Sequence, residues 1–213
     1  NNRLPAFAQP ANAQNTLLKP VTAEISLAWR HKEDDLIDFN LQRTLPHKFS
    51  QLGPALAAGD VNGDQLDDLV AGGSAGHLPV LFVQQANGSF VQADNWLQPA
   101  TDAAREDLGM LLFDADNDGD NDLYICSGSI EFGQVAPEYQ DRLYLNNGQG
   151  EFACAPKALP ENLSSTAAVK AADFNGDGLL DLFVGGRVKT GAWPEPVSSF
   201  ILKNEGGTFV DVT

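Results

Sequence analysis

The sequence predicts an all-β protein, a β-propeller of four-stranded antiparallel blades, and three observations lead to that prediction. An acidic motif of the form D-x-[DN]-x-D-x-x-x-D begins at Asp60, Asp114 and Asp173, 54 and then 59 residues apart. Each copy follows a short apolar run and precedes a run of β-branched or aromatic residues that ends in small residues. Two further short runs, joined by a Gly-containing turn, complete each unit. A repeat of about 50 residues with four strands is typical of a propeller blade.

Each element of the repeat is predicted by its own residues. Short apolar runs bounded by Gly, Asn and Asp indicate strands joined by tight turns, and in the third unit these runs are 166–172, 181–186, 199–203 and 206–210. Residues 21–54 are expected to add strands of a partial blade, and the Asn- and Pro-containing residues 1–20 a flexible lead-in. The predicted blades span residues 55–93, 108–154 and 166–213, with acidic loops at 60–68, 114–122 and 173–181.

The charge and cysteine content exclude several classes of function. The chain has 29 acidic and 13 basic side chains and a net charge of −16, which argues against binding to nucleic acid or to an anionic membrane. No run approaches the roughly 18 apolar residues that a membrane-spanning helix needs. Cys126 and Cys154 fall in the second and last strands of one predicted blade. Those strands are not neighbours, so we expect free thiols rather than a disulfide.

The three acidic loops have the composition of calcium sites. Oxygen side chains at positions 1, 3, 5 and 9, with the carbonyl of position 7, can surround a hard cation, and Ca²⁺ accepts six to eight such ligands. We therefore expect about three structural Ca²⁺ ions. The predicted ligands are Asp60, Asn62, Asp64, Leu66 and Asp68 in the first loop, Asp114, Asp116, Asp118, Asp120 and Asp122 in the second, and Asp173, Asn175, Asp177, Leu179 and Asp181 in the third.

Other metal sites fit these loops less well. Zinc prefers nitrogen or sulfur donors, and magnesium a tighter octahedron with retained waters. An EF-hand needs a Glu at position 12 and flanking helices, but position 12 is Ala71, Ile125 and Val184, each in a predicted strand. Position 6, where the chain must turn sharply, is Gly in two loops and Gln65 in the first. The first loop therefore departs most from the pattern.

These residues resemble the FG-GAP/VCBS repeats of calcium-binding β-propellers, such as the integrin α-subunit head and bacterial VCBS-repeat proteins of the ASPIC/UnbV-associated group. The resemblance covers roughly residues 50–213 and is most specific in Asp-Val-Asn-Gly-Asp (60–64) and Asp-Phe-Asn-Gly-Asp-Gly (173–178). It implies an exported, calcium-binding protein. Propellers of this type usually have seven blades, so the chain is expected to be part of a larger propeller. Alternatively, it pairs with a second chain, or its N-terminal strands close a smaller ring.

The leading interpretation is a non-catalytic, calcium-stabilised binding or scaffold module on an exported or cell-surface protein, with a protein or glycan ligand. Carbohydrate binding is one alternative, with Trp193 as the best candidate to stack on a sugar, although core or loop packing is the commoner role of such a residue. A platform domain of a polysaccharide-active enzyme is another. It would need converging acid and base groups, and the sequence offers none outside the loops. No catalytic residue is therefore assigned.

Overall fold

A computed structural model describes residues 18–98 and 102–213 of the chain, and within them the protein forms thirteen strands in three sheets. Two sheets are four-stranded and antiparallel, and the middle sheet carries a fifth, short strand at its edge. Blade 1 comprises β1 (Leu56–Gly59), β2 (Asp68–Ala71), β3 (Val80–Gln84) and β4 (Phe90–Gln92); β5 is Leu97–Gln98; blade 2 comprises β6 (Asp107–Phe113), β7 (Asp122–Ser127), β8 (Arg142–Asn146) and β9 (Phe152–Cys154); blade 3 comprises β10 (Ser165–Ala172), β11 (Asp181–Val188), β12 (Phe200–Asn204) and β13 (Phe209–Asp211).

The blades are consecutive units of a β-propeller, as the sequence predicts. In each blade the strand order along the sheet equals the order along the chain. The first strands of the three blades lie beside one another, β1 against β6 and β6 against β10. The residue before each acidic loop pairs with the last Asp of that loop: Gly59 with Asp68, Phe113 with Asp122, and Ala172 with Asp181.

The hydrophobic core lies between the blades, because each sheet is apolar on both faces. Val70 and Leu81 of blade 1 pack against Leu123 and Ile125 of blade 2. On the opposite face of blade 2, Tyr124 and its neighbours pack against blade 3. Alternate residues of one strand thus enter two different cores, as the period of two in a strand requires.

Strand β5 was not predicted. It pairs in parallel with β9, and Trp96 beside it is buried and meets the Phe152 ring edge-on, with centroids 5.5 Å apart. The segment that connects blades 1 and 2 is therefore held against the outer edge of blade 2. Cys126 is buried and Cys154 is half-buried, and no disulfide joins them, which confirms the prediction.

The expected strands of residues 21–54 are a wrong prediction for the part that the structure describes. Residues 18–54 contain no strand, and their regular element is the short helix α1 (Asp38–Leu41). Local turns satisfy the backbone there, as in the bond from Glu24 N to Val21 O at 2.8 Å. One bond reaches a sheet, from Phe90 N to Ile25 O. Of the predicted lead-in 1–20, residues 1–17 lie outside the described residues.

The N-terminal segment, residues 18–54, packs against blade 1 and also contacts residues of the other two blades. The Trp29 ring meets Phe82 of β3, with centroids 6.1 Å apart. Further along, Phe49 joins Ile130 and Val188 in a small third core. Within the described ranges, no helix is long and apolar enough to cross a membrane.

The outer face of blade 3 is apolar and open to solvent. Phe183 and Ile201 pair across β11 and β12 and are 51% and 39% exposed. Tyr124 and Leu143, which hold the equivalent places in blade 2, are 1% and 0% exposed because blade 3 covers them. Blade 3 therefore exposes to solvent the face that blade 2 buries against its neighbour.

Candidate metal centre

The first Asp of each acidic loop organises the loop backbone. Its Oδ2 accepts the N–H of position 6, and further N–H groups donate to its Oδ1. Hydrogen bonds from Gly178 and other backbone N–H groups lower the pKa of Asp173. Partial burial acts to raise the pKa of Asp60, but backbone N–H groups outweigh it and the pKa is lowered. The position 6 to position 1 bonds are Gln65 to Asp60 at 2.8 Å, Gly119 to Asp114 at 3.1 Å, and Gly178 to Asp173 at 3.0 Å.

Positions 5 and 7 repeat a second bond. In each loop the Oδ1 of the position 5 Asp accepts the N–H of position 7 at 2.9 Å, and this N–H belongs to Leu66, Asp120 or Leu179. Where position 3 is Asn, its Oδ1 accepts the N–H of position 5, as in Asn62 and Asn175. These hydrogen bonds from backbone N–H groups to side-chain oxygens fix the conformation of the loop. They leave other carboxylate lone pairs available to bind an ion.

Positions 4 and 6 have left-handed backbone in all three loops. Position 4 is Gly63, Asn117 or Gly176, with φ between 66° and 78°. At position 6, Gly119 and Gly178 have φ of 98° and 90°, and Gln65 adopts the same region at 69°. The sharp turn predicted at position 6 is therefore present. Because Gln65 carries a Cβ where the other two loops have Gly, the backbone at position 6 is most strained in the first loop.

The Asp at position 9 joins the loop to the third strand of its blade. Its Oδ2 accepts the N–H of position 2, and its Oδ1 accepts the last N–H of the third strand. In blade 2, Asp122 accepts from Ala115 and from Asn146, both at 2.8 Å. The sequence suggested only a metal ligand here, and the structure adds a connection between strands. Asp68 and Asp181 make the same two bonds, to Val61 and Gln84 and to Phe174 and Asn204.

The second loop brings three carboxylates together. Oxygens of Asp114, Asp116 and Asp122 lie within 4.8 Å of one another, the one such group of His, Cys, Asp or Glu side chains in residues 18–98 and 102–213. Asp116 Oδ1 is buried without a hydrogen-bond partner among those residues. Burial and the charges of Asp118 and Asp114 raise the pKa of Asp116. Burial raises the pKa of Asp122 to about 6, with Asp116 and Asp118 adding to the effect. The carboxylates of the second loop therefore repel one another, and a cation beside them would stabilise their charged forms.

In blades 2 and 3, an Asn at the end of the third strand ties the blade to the acidic loop of the preceding blade. Asn204 Nδ2 donates to Leu180 O in its own blade at 3.1 Å and to Ala115 O in the loop of blade 2 at 2.8 Å. Asn146 does the same toward Asn121 O and Val61 O. Sequence reasoning missed this role. The signal was an Asn at the same place in Leu-Tyr-Leu-Asn146 and Ile-Leu-Lys-Asn204.

We expect Asn204→Ala to lower the free energy of unfolding by about 1–3 kcal/mol, because the buried carbonyl of Ala115 and the half-buried carbonyl of Leu180 lose their donor. Urea unfolding in excess calcium measures the change. Asn40→Ala, an exposed site on α1, serves as the control and should change stability by less than about 0.5 kcal/mol. Equal stability of Asn204→Ala and the wild type would show that the tie between blades contributes nothing.

A separate buried acid lies outside the loops. Glu106 is 1% exposed, its Oε2 accepts the Ala75 N–H at 3.0 Å, and its Oε1 has no partner in the described part of the chain. Burial raises the pKa of Glu106 to about 8; the Ala75 N–H opposes this rise, and the charges of Glu33 and Glu131 add to it. The folded protein therefore holds this proton at neutral pH.

We expect Glu106→Gln to flatten the dependence of stability on pH. Between the ordinary carboxyl pKa of 4.5 and about 8, the folded wild type holds a proton that the unfolded chain has released. Its free energy of unfolding is therefore highest below this window and falls as the pH rises through it, by on the order of 4 kcal/mol. Urea unfolding at pH 5 and pH 8.5, in saturating calcium, measures the difference. Glu161→Gln, at an exposed site, should keep the wild-type slope, and parallel curves for both variants would contradict the assignment.

Trp193, the candidate for stacking on a sugar, packs against the third core at the surface of the protein. Its ring centroid lies 5.6 Å from that of Phe49. The backbone N–H of Trp193 donates to Gln42 Oε1, and Gln42 Nε2 donates to the backbone carbonyl of Trp193. The ring belongs to the third core and is half-buried. The packing role that the sequence analysis gave as the commoner one therefore applies.

Comparison with known proteins follows the same repeats. The model of the FG-GAP-like repeat family matches residues 60–125 and 130–184. No curated protein matches the chain. A similar solved structure is an Agrocybe aegerita lectin, determined for its specific recognition of non-reducing terminal N-acetylglucosamine. It is 20% identical with a TM-score of 0.47, and the match covers 74% of this chain and 36% of that chain. The chain therefore spans about a third of that lectin's length. Because the family model matches more than half of the residues, the protein belongs to the FG-GAP-like repeat family.

Proposed function

We propose that the protein is a non-catalytic binding or scaffold module of an exported or cell-surface protein, and that one structural Ca²⁺ in each acidic loop stabilises it. The observation that carries the calcium proposal is the buried Oδ1 of Asp116, which lies beside Asp114 and Asp122 and has no hydrogen-bond partner among the described residues. A carboxylate oxygen left without a donor is destabilising unless a cation occupies the space beside it. The ligand set is the one that the sequence predicts, positions 1, 3, 5 and 9 with the carbonyl of position 7.

The donors and the charge both favour calcium. All the side-chain donors are oxygens, and exposed hairpin loops suit the flexible coordination shell of Ca²⁺. Ten of the 29 acidic side chains occupy ligand positions of the three loops, and three divalent ions would offset about six of those charges. Calcium at extracellular concentrations, which are in the millimolar range, keeps even weak sites filled, in keeping with an exported protein.

The Asp116→Asn variant tests the site because it should change the melting temperature in opposite directions with and without calcium. In EDTA the variant should unfold at a higher temperature than the wild type, because it removes a carboxylate whose pKa burial and two neighbouring charges already raise. In excess calcium it should unfold at a lower temperature, because one ligand has lost its charge. Differential scanning calorimetry in the two buffers measures both, and calcium titration should give one fewer tight site.

Asp94→Asn is the matched control for Asp116→Asn. Asp94 is exposed, lies outside the loops and makes no hydrogen bond or ion pair within the described ranges. It should shift neither melting temperature nor stoichiometry. If the melting temperature of Asp116→Asn differs from that of the wild type in the same direction in EDTA and in calcium, no ion binds the second loop.

The open face of blade 3 supports the scaffold part of the proposal. The Phe183 and Ile201 side chains lie where blade 2 presents Tyr124 and Leu143 to its successor. An apolar face of this kind is best covered by another sheet with a matching face. We therefore propose that a further blade, from a longer chain or from a second chain, packs there.

A further inference from the structure

A cavity between the N-terminal segment and blade 1 is lined by several basic residues, although the protein as a whole is acidic. It has a volume of about 360 Å³ and is lined by Trp29, Arg30, His31, Lys32 and His77, with Leu78 and Val80 as an apolar wall. No acidic residue of the described chain lines it. The whole chain has 13 Lys and Arg and three His. Four of these 16 basic residues therefore line one cavity.

The basic groups at the cavity are largely uncommitted. The side chains of Arg30, Lys32 and His77 make no hydrogen bond or ion pair with any residue that the structure describes. His31 Nε2 lies 2.7 Å from Glu33 Oε1, a contact that fixes the orientation of the ring. The positive charges of Arg30 and Lys32 favour an anion, and Arg is suited to a planar carboxylate because its N–H groups can bond both oxygens.

The walls of the cavity are held in place. Ser74 Oγ donates to Lys32 O at 2.6 Å, and Phe90 N donates to Ile25 O at 2.8 Å. The edge-on contact between Trp29 and Phe82 fixes the indole. These contacts join the N-terminal segment to blade 1, so the cavity exists before any ligand arrives and binding needs little ordering.

We propose that this cavity binds a carboxylate-bearing sugar. Arg30 and Lys32 bind the carboxylate, and Trp29 with the wall of Leu78 and Val80 contacts the C–H face of the ring. The volume lies in the usual range of about 300–1,000 Å³ for small-molecule sites. The first acidic loop precedes β2, whereas Gly73 and His77 follow it. The cavity is therefore at the opposite end of that strand from the proposed calcium site, and the two proposals stand independently.

Titration calorimetry with D-glucuronate and D-glucose, in saturating calcium and low salt, tests the proposal. The two sugars differ in the carboxylate, so glucuronate should bind saturably and glucose at least tenfold more weakly. Arg30→Gln and Lys32→Gln should each weaken glucuronate binding by about tenfold, about the loss of one charge-assisted hydrogen bond. Arg43→Gln and Lys157→Gln, at exposed sites away from the cavity, remove the same charge and should leave the affinity unchanged.

Several results would overturn this proposal. These are no saturable binding of glucuronate, equal affinity for glucose, or equal weakening by the control variants, which would indicate net charge alone. Acetate that binds as tightly as glucuronate would show a simple anion site without a place for the sugar ring. Thermal unfolding of each variant, expected at the wild-type temperature, confirms that the altered protein is folded. Failure of calcium binding is detected separately by the Asp116→Asn experiment.

Discussion

Removing calcium with EDTA is expected to lower the melting temperature of this protein by more than about 15 °C. At a free calcium concentration of 100 times the Kd, each of three sites stabilises the folded state by about 2.7 kcal/mol, or about 8 kcal/mol together. For a chain of this size, each kcal/mol corresponds to roughly 2–4 °C. Without the ions, the second loop holds its carboxylate oxygens within 4.8 Å of one another with no cation between them.

Scanning calorimetry before and after chelation, and again after calcium is restored, measures this effect. The loss should be reversible, and magnesium at the same concentration should restore less, because it gives up its waters reluctantly. The Asp94→Asn variant should respond to EDTA as the wild type does. A melting temperature that chelation leaves unchanged would contradict the calcium proposal for all three loops.

Replacing Asp141 by Ala is the second change with a large expected effect. This carboxylate accepts hydrogen bonds from the Tyr124 hydroxyl at 2.8 Å, the Ser127 N–H at 2.7 Å and the Thr166 hydroxyl at 2.5 Å. Tyr124 and Ser127 belong to blade 2, whereas Thr166 belongs to blade 3. All three donors are buried, so removing the acceptor leaves the Tyr124 hydroxyl and the Ser127 N–H unsatisfied and leaves Thr166 only its longer bond to Ser127 O at 3.4 Å. We expect the free energy of unfolding to fall by about 3–5 kcal/mol.

Urea unfolding in saturating calcium measures the Asp141 effect apart from the ions. Burial raises the pKa of Asp141 to about 6, although its three hydrogen-bond donors and Arg142 act to lower it. The neutral Asp141→Asn variant keeps one acceptor oxygen and should lose less stability than Asp141→Ala. The exposed Asp94→Ala variant should change stability by less than about 0.5 kcal/mol. An Asp141→Ala variant as stable as the wild type would mean that the three donors find other partners.

Local repetition explains why so much of the fold could be predicted. Each strand and loop is encoded within about 50 residues, and three copies let the pattern be recognised without any distant contact. The left-handed turn at position 6 was predictable from Gly119 and Gly178, and the free thiols followed from the predicted strand order.

The features that were missed depend on tertiary contacts. Residues 21–54 contain apolar runs that read as strands, but in residues 18–54 backbone turns and packing on blade 1 satisfy them instead. The third-strand Asn looked like an ordinary turn residue, because its partners, such as Val61 O for Asn146, lie 85 residues away. The basic cavity could not be foreseen either, because His77 approaches residues 29–32 only in the folded chain.

The ties made by Asn146 and Asn204 have a consequence for how the ions bind. Each Asn anchors the carbonyl of position 2 of the preceding loop to the next blade, through Val61 and Ala115. An ion that orders one loop also fixes the third strand of the next blade, on which that blade's position 9 Asp depends. In a linear array such nearest-neighbour terms make occupancy spread along the chain. The calcium isotherm should therefore be steeper than that of three independent sites, and Asn204→Ala should reduce its Hill coefficient while all fifteen proposed ligands remain in place.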